Sequence, residues 1–235
     1  MGELRYINFP LPLLRYMLMK REQRLRTIIA YEWRFGGEAN IDKLLEKIGT
    51  SIEKECRCLG LQREDVLRLY ETFSNNINDA KMRGVFYCQP MVGISVQTML
   101  DYLYNKKSDE DWLMLLLWLA VKSLSKATVF DTNTNGNHIV ARMAGYKSYP
   151  DMMKNANDVD SRIMGLIEDG KTGSTARHRR RRLFDKLEST YQRVFFISGY
   201  KSVRVIRTLK KFKKEEIVRA LELAVKSGVF ETGCP

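Results

Sequence analysis

The sequence predicts a mainly α-helical protein with one small β-hairpin near its C-terminal end. Apolar residues recur at the three- and four-residue spacing of a helix face along most of the chain, whereas a single pair of β-rich runs flanks a loop of hairpin length. Apolar residues make up 44% of the 235 residues, which is enough for a buried core. A chain of this length forms one or two domains. We expect a helical domain over residues 1–107 and a second domain over residues 108–235.

The first domain is predicted from its helical periodicity. Its predicted elements are, in order, an extended segment followed by a helix to about residue 35, helices at 41–59 and 63–80, a short strand at 84–88, and a helix from Ser95 to about Tyr104. The apolar run near the start of the chain is interrupted by Pro10, Pro12 and Arg15. We therefore expect no signal peptide.

The second domain begins with the strongest helix start in the sequence. Ser108 is suited to cap a helix, and the three acids at 109–111 complement the positive end of the helix dipole. Residues 112–121 are apolar on all sides but are only about half as long as a membrane span, so they predict a buried core helix. We therefore expect no membrane partner.

The rest of this domain is predicted to alternate short helices with loops before the hairpin. The predicted elements are helices at 137–144, 150–156 and 158–168, a flexible joint at 169–174, a helix from Ser174, strands at 193–197 and 203–207, and a closing amphipathic helix at 215–226.

The positive charge of the chain is concentrated in residues 171–214. This stretch holds fifteen Lys and Arg against two acids, an excess of +13, whereas the whole protein carries +12, so all other residues sum to −1. A field of one sign favours a polyanionic partner. Nucleic acid fits better than anionic lipid, because the stretch lacks the long apolar face of an interfacial helix.

Three parts of this stretch are candidates for nucleic-acid contact: the first half of the helix from Ser174, the hairpin, and the connector after the hairpin. The candidate nucleic-acid-binding residues are Arg177, His178, Arg179, Arg180, Arg181, Arg182, Lys186, Arg193, Tyr200, Lys201, Arg204, Arg207, Lys210 and Lys211.

A basic helix followed by a basic and aromatic hairpin resembles the winged helix-turn-helix DNA-binding proteins, most clearly over residues 174–208. The chain is also similar to replication initiators and regulators of plasmids, phages and other mobile elements, in which an extended segment and a helix, here at 6–10 and 24–35, come first. The joint at 169–174 is longer than the turn that usually precedes the recognition helix of such proteins.

The resemblance implies a cytoplasmic, sequence-specific binder of duplex DNA that acts in replication initiation or transcription regulation. It implies neither enzymatic activity nor a cofactor. The basic helix would enter the major groove, with Arg179 and Arg182 at base edges. Arg177, Arg180 and Arg181 would contact flanking phosphates, and the hairpin tip would lie along the backbone or in the minor groove.

Residues 138–149 offer a competing helix-turn-helix. Ala141 and Gly145 have the spacing of the small residue and the turn glycine of that motif, and Pro150 is tolerated in the first turn of the second helix. Asp151 and Asp158 suit DNA poorly. This segment is therefore expected either to contact the DNA or to support the basic helix within the same domain.

Two other functions are consistent with the sequence. Tyr191, Tyr200, Phe195 and Phe196 are interspersed with basic residues, as in proteins that stack the bases of RNA or of single strands. The near-neutral first domain fits a homodimer interface or a docking module for a protein partner. In both cases duplex DNA is not the main ligand of the chain.

Metal binding finds little support. Asp131, Asn133, Asn135 and Gly136 match the first half of a calcium loop, but position twelve is Arg142 where the site requires a bidentate Glu. The four cysteines form no C-x-x-C pair and the chain has two histidines, so we expect reduced thiols in the cytoplasm and no zinc site.

Enzymatic activity finds no better support. Tyr191 as a nucleophile would need basic groups from several elements around it, whereas His178 and Arg181 lie on its own helix. A metal nuclease would need a third well-spaced acid beside Asp158 and Asp160. The sequence contains no phosphate-binding loop.

Overall fold

The computed structural model describes residues 6–18, 40–124, 136–167 and 173–191, together with the backbone of two strands at 194–197 and 204–207. These residues are mainly α-helical, with a small antiparallel hairpin near the C-terminal end, which confirms the predicted fold class. The chain divides into two compact units, Met1–Trp112 and Leu113–Pro235. The helices predicted at 24–35 and 215–226 lie outside the described residues.

The first unit combines a two-stranded ribbon with helices. Strand β1 (Tyr6–Pro10) pairs antiparallel with β2 (Met91–Ser95), and the register places Tyr6 opposite Ser95. Alternate residues of the ribbon are buried, Ile7 and Phe9 on β1 among them. The other described elements are a 3-10 helix (Leu11–Tyr16), α1 (Ile41–Lys47), α2 (Ile52–Leu59), α3 (Arg63–Met82) and α4 (Val96–Tyr104).

Two predictions for the first unit are wrong. The helix predicted over 41–59 is two helices, because Gly49 adopts a left-handed φ of +77° and Ser51 then caps α2 by accepting a hydrogen bond from Lys54 N over 3.3 Å. The strand predicted at 84–88 is a turn that includes left-handed backbone at Gly84 and Cys88, with φ of +73° and +53°. Such φ values are incompatible with a strand, and the strand begins instead at Met91.

The first unit buries an acid in its core. Glu55 of α2 is 0% exposed, and its Oε2 accepts a hydrogen bond from the Tyr70 hydroxyl over 2.9 Å. Thr50 Oγ1 donates to Glu55 Oε1 over 3.4 Å and lies 2.8 Å from the hydroxyl of Tyr104. Because a hydroxyl has one proton, Tyr104 is then the donor to Thr50. This cluster joins α2, α3 and α4, and no pattern in the sequence indicated it.

The division between the units falls within α5 (Asp109–Leu124). The predicted cap is confirmed: Ser108 Oγ accepts from Asp111 N over 3.2 Å, and the Asp111 carboxylate accepts from Ser108 N over 2.8 Å. The apolar residues 114–121 are buried, as predicted for a core helix. Among the described helices, none is both long and apolar enough to cross a bilayer.

The second unit continues with short helices, then a long basic helix and the hairpin. Its further elements are α6 (Gly136–Met143), α7 (Tyr149–Lys154), a 3-10 turn (Ala156–Asp158), α8 (Ser161–Met164), α9 (Gly173–Tyr191), β3 (Val194–Ile197) and β4 (Arg204–Arg207). Helix α6 packs against both α7 and α8. Helix α8 is shorter than predicted, because Asp160 caps its start and Gly165 ends it.

Candidate nucleic-acid interface

Helix α9 carries a buried stripe on an otherwise basic helix. The buried positions recur at intervals of three and four residues and are Ala176, Arg180, Leu183, Phe184 and Leu187. This spacing is the period of one helix face. The stripe therefore determines which of the basic side chains of α9 face solvent.

Arg180 is a charged residue on this buried stripe. Arg180 is 5% exposed, and its Nη1 donates a hydrogen bond to the carbonyl oxygen of Leu166 over 2.6 Å. Burial lowers the pKa of the Arg180 guanidinium from its ordinary value. The cation is thus engaged inside the unit, at the turn that follows α8.

The guanidinium of Arg180 also lies against Gly136, at the start of α6. A Cβ atom at position 136 would stand 2.6 Å from Cζ and Nη2 of Arg180 and 2.9 Å from Nε. These distances are shorter than any ordinary van der Waals contact. The lack of a side chain at Gly136 therefore makes room for the guanidinium, and Arg180 connects α9 both to α6 and to the turn after α8.

The expectation that Arg180 contacts a flanking phosphate is wrong. Its guanidinium is enclosed by protein and its Nη1 already has a carbonyl acceptor. The physical reason is the helix period: Arg180 lies four residues after Ala176 and three before Leu183, so it falls on their side of α9. That spacing was the signal in the sequence that could have shown it.

The other basic residues in the first half of α9 are exposed. They are Arg177, His178, Arg179, Arg181 and Arg182, and Lys186 in the second half is partly buried. By helix geometry, Arg177 and Arg181 lie together on one flank of the exposed side, and Arg179 and Arg182 lie together on the other. The helix therefore offers two pairs of cations with His178 between them.

Arg179 leans toward the end of α8 without being enclosed. Its Nη1 lies 3.5 Å from the carbonyl oxygen of Gly165, at the outer limit for a hydrogen bond. The residue is exposed, so it is able to leave this contact for a ligand. Asp185 is also exposed on α9, which places an acid beside the cluster.

The competing helix-turn-helix at 138–149 has the predicted local geometry. Ala141 is buried, Gly145 has a left-handed φ of +76°, and Ser148 caps α7 by accepting from Asp151 N over 3.3 Å. The exposed residues of α7 are Pro150, Asp151, Met153 and Lys154. Because this face is not basic, the arrangement favours a supporting role for α6 and α7.

The hairpin is antiparallel and pairs Val194 with Arg207 and Ile197 with Arg204. Because strand residues alternate between faces, positions 204 and 207 belong to opposite faces of the ribbon. Arg204 and Arg207 therefore do not form one contact surface by register alone. The other candidate residues of this region, Arg193, Tyr200, Lys201, Lys210 and Lys211, lie outside the described residues.

Arg142 and His138 are a feature of the site that the sequence did not indicate. They lie one turn apart on α6, and Nε and Nη1 of Arg142 are buried without a hydrogen-bond partner in the described part of the chain. Burial lowers the pKa of Arg142, and both burial and the charge of Arg142 lower the pKa of His138. The i, i+4 spacing places both residues on one side of α6, but how far that side is buried depends on tertiary packing.

Of the acids considered for metal chemistry, Asp160 has a structural role. Asp160 accepts hydrogen bonds from Nε and Nη2 of Arg162 over 2.9 and 2.7 Å, and these bonds lower the pKa of its carboxyl. Asp158 is exposed in the 3-10 turn. Within the described ranges, no group of three His, Cys, Asp or Glu side chains is close enough to hold a metal ion.

No family model, curated protein or solved structure matches this chain.

Proposed function

We propose that this chain binds duplex DNA, with α9 in the major groove and the hairpin β3–β4 beside it on the backbone. The observation that carries the proposal is the two-sided character of α9: a buried stripe anchors the helix while basic residues occupy its exposed sides. A helix held in this way can enter the major groove without first having to be ordered. The local excess of +13 in residues 171–214 supplies the attraction for phosphates.

The exposed pairs of α9 suggest separate roles. We assign Arg179 and Arg182 to base edges, because a guanidinium forms two parallel hydrogen bonds with guanine O6 and N7. Arg177 and Arg181, on the other flank, are assigned to phosphates. Arg180 takes no part in contact and instead keeps α9 in place.

The biological role is proposed to be transcription regulation or replication initiation of a mobile element, by sequence-specific binding. This part rests on the order of a helical first unit, a basic helix and a hairpin. The alternatives are an RNA or single-strand binder and a protein-interaction module, and both are outcomes of the experiment that follows.

The test is a salt titration of full-length protein by fluorescence anisotropy with duplex DNA, single-stranded DNA and duplex RNA of equal length. Neutralising about six phosphates gives a log–log slope near −5 for duplex DNA, at ~0.9 per phosphate. Tighter binding to duplex DNA with such a slope supports the proposal. Preference for either of the other ligands favours the RNA or single-strand function, and no binding at about 0.1 M salt favours a protein partner.

The assignment of base contacts is tested with the double variant R179A/R182A. It should lower discrimination between a selected site and a scrambled duplex by ~1–3 kcal/mol per lost base contact. A matched control is K43A/R57A, which removes the same charge from exposed positions of α1 and α2. If both double variants discriminate equally well between the selected site and the scrambled duplex, α9 does not contact base edges in the major groove.

A further inference from the structure

Arg142 has hydrogen-bond donors that the described part of the chain does not use. Its Nε and Nη1 are both buried and both lack an acceptor. Nearly all buried donors in native proteins are paired, and a guanidinium carries a charge as well as five N–H groups. Such a group indicates an acceptor that the described residues do not supply.

The acids of the second unit that the structure describes do not supply this acceptor. Those whose side chains the structure describes are Asp151, Asp158, Asp160 and Asp185. Asp151 accepts a hydrogen bond from Ser148 over 2.6 Å, and Asp160 is held by Arg162 over 2.7 Å. Over the described ranges, neither these residues nor the exposed Asp158 and Asp185 accept a hydrogen bond from Nε or Nη1 of Arg142.

The position of Arg142 on its helix does not explain the unused donors. It lies in the last turn of α6, where the negative end of the helix dipole favours a cation. The dipole accounts for a positive charge at this place, but it does not provide acceptors for the two buried nitrogens. The neighbouring His138 cannot compensate the charge either, because imidazole carries no negative charge at any ordinary pH.

We propose that Arg142 is an anion-binding residue that receives a phosphate group of the nucleic acid. The guanidinium geometry matches phosphate oxygens. Helix α6 is followed by the Gly145 turn and α7, and in helix-turn-helix proteins the first helix of such a pair crosses the DNA backbone. The choice of a nucleic-acid phosphate rests on the proposed function, whereas the anion site itself does not.

The anion site is tested by thermal unfolding of the full chain with sodium phosphate, sodium acetate or sodium chloride at equal ionic strength. The variants are R142M, R142K and, as a control for loss of an exposed charge, R57M. In chloride, R142M should melt at or above the wild-type temperature, because an unpaired buried charge is replaced by an apolar chain. Phosphate should then raise the melting temperature of wild type and of R57M more than that of R142M.

Three results of this experiment would overturn the site. The first is an equal phosphate shift in wild type and R142M. The second is a melting temperature in chloride that is lower than wild type for R142M and equal to wild type for R142K. This result would show that Arg142 has a partner within the chain. The third is an acetate shift as large as the phosphate shift, which assigns the site to a carboxylate.

The nucleic-acid source is tested by the salt dependence of duplex DNA binding. Loss of one phosphate contact makes the slope shallower by ~0.9. The gain in affinity between 1 M and 0.1 M salt is then about eightfold smaller than for wild type. R142M should show this change, R142K should keep the slope, and R57M should match wild type. If R142M keeps the wild-type slope, the phosphate is not that of DNA. If wild type binds no duplex, the proposed function fails. The phosphate-induced shift in melting temperature still tests the anion site at Arg142.

Discussion

Nη1 of Arg180 donates a hydrogen bond to the carbonyl oxygen of Leu166 over 2.6 Å, so one of the arginines in the basic cluster holds its own helix in the fold. A hydrogen bond with a charged donor is shorter and stronger than a neutral one. The same guanidinium rests on Gly136 at the start of α6. Arg180 is therefore a positioning residue, and its neighbours on α9 are the candidates for contact.

Replacement of Arg180 should lower stability, whereas replacement of Arg181 should weaken the salt dependence of binding. R180A should lower the free energy of unfolding by ~2–4 kcal/mol, because it removes a charge-assisted hydrogen bond and leaves a cavity. R181A should change stability by less than about 0.5 kcal/mol, as expected for an exposed residue. Urea denaturation of both variants measures this difference.

The salt dependence of duplex binding gives the complementary result for the same two variants. R181A should make the slope shallower by ~0.9, whereas R180A should leave the slope unchanged even if its affinity is lower. A shallower slope for R180A together with wild-type stability would place Arg180 on a phosphate after all.

Two glycine-to-alanine changes compare the enclosed guanidinium of Arg180 with the exposed guanidinium of Arg179. G136A should destabilise the protein by ~1–3 kcal/mol, because its Cβ would overlap the enclosed guanidinium of Arg180. G165A places a Cβ 3.0 Å from Nη1 of Arg179, which is exposed and free to rotate away. Because Gly165 has a right-handed φ of −65°, G165A should stabilise by ~0.4–1 kcal/mol.

Thermal unfolding of both glycine variants checks this contrast. A double variant G136A/R180A should lose less stability than the sum of its single changes, since the overlap disappears with the side chain of Arg180. Additive losses would show that Gly136 is required for a reason unrelated to Arg180.

The buried Glu55 cluster should dominate the polar contribution to the stability of the first unit. Y70F removes the hydroxyl that donates to Glu55 over 2.9 Å and should cost ~1–3 kcal/mol. Y87F is the matched control, because the Tyr87 side chain is 80% exposed and the same atom is removed. Chemical denaturation monitored by circular dichroism compares them, and equal midpoints would mean that another donor replaces the Tyr70 hydroxyl.

His138 should titrate below the usual range for histidine. Burial is the main cause of its lowered pKa, and the positive charge of Arg142 adds to it. Nuclear magnetic resonance titration of the two histidines, with H138Q used to assign the signals, measures this pKa. R142M should raise the pKa of His138 without restoring the ordinary value, because the burial remains.

The same shift has a consequence for stability against pH. The unfolded chain protonates His138 at a higher pH than the folded chain does, so the folded state loses stability as pH falls through ~6.5. The loss continues until the folded form is also protonated. H138Q should lack this part of the pH dependence, and an identical pH profile for both proteins would contradict the buried environment of His138.

Local signals were sufficient to predict many helix ends. Ser108 and Ser95 cap the helices that follow them, since a cap depends on residues within one turn. The position of β2 was not predictable in this way. Its partner β1 lies more than seventy residues earlier in the chain, and strand pairing of that kind is set by tertiary structure.

The helix that carries most of the candidate site was predicted from the sequence, but two details of its surroundings were not. The count of charges located the basic helix, but it could not separate the enclosed Arg180 from its exposed neighbours without the helix period. In the sequence, Arg142 is notable only as a cation at the position where a calcium loop requires Glu. Its unused donors depend on how α6 is buried, which no local pattern in the sequence determines.

The buried stripe of α9 also limits insertions and deletions within this helix. The stripe fixes the rotation of the helix about its axis, and each residue added or removed turns the following part by about 100°. A one-residue insertion between Ala176 and Arg180 would leave the charge of the chain unaltered and yet turn Arg177 and its neighbours away from their present directions. Substitutions among the exposed cations are therefore better tolerated than a change of register, and related chains should vary in composition here before they vary in length.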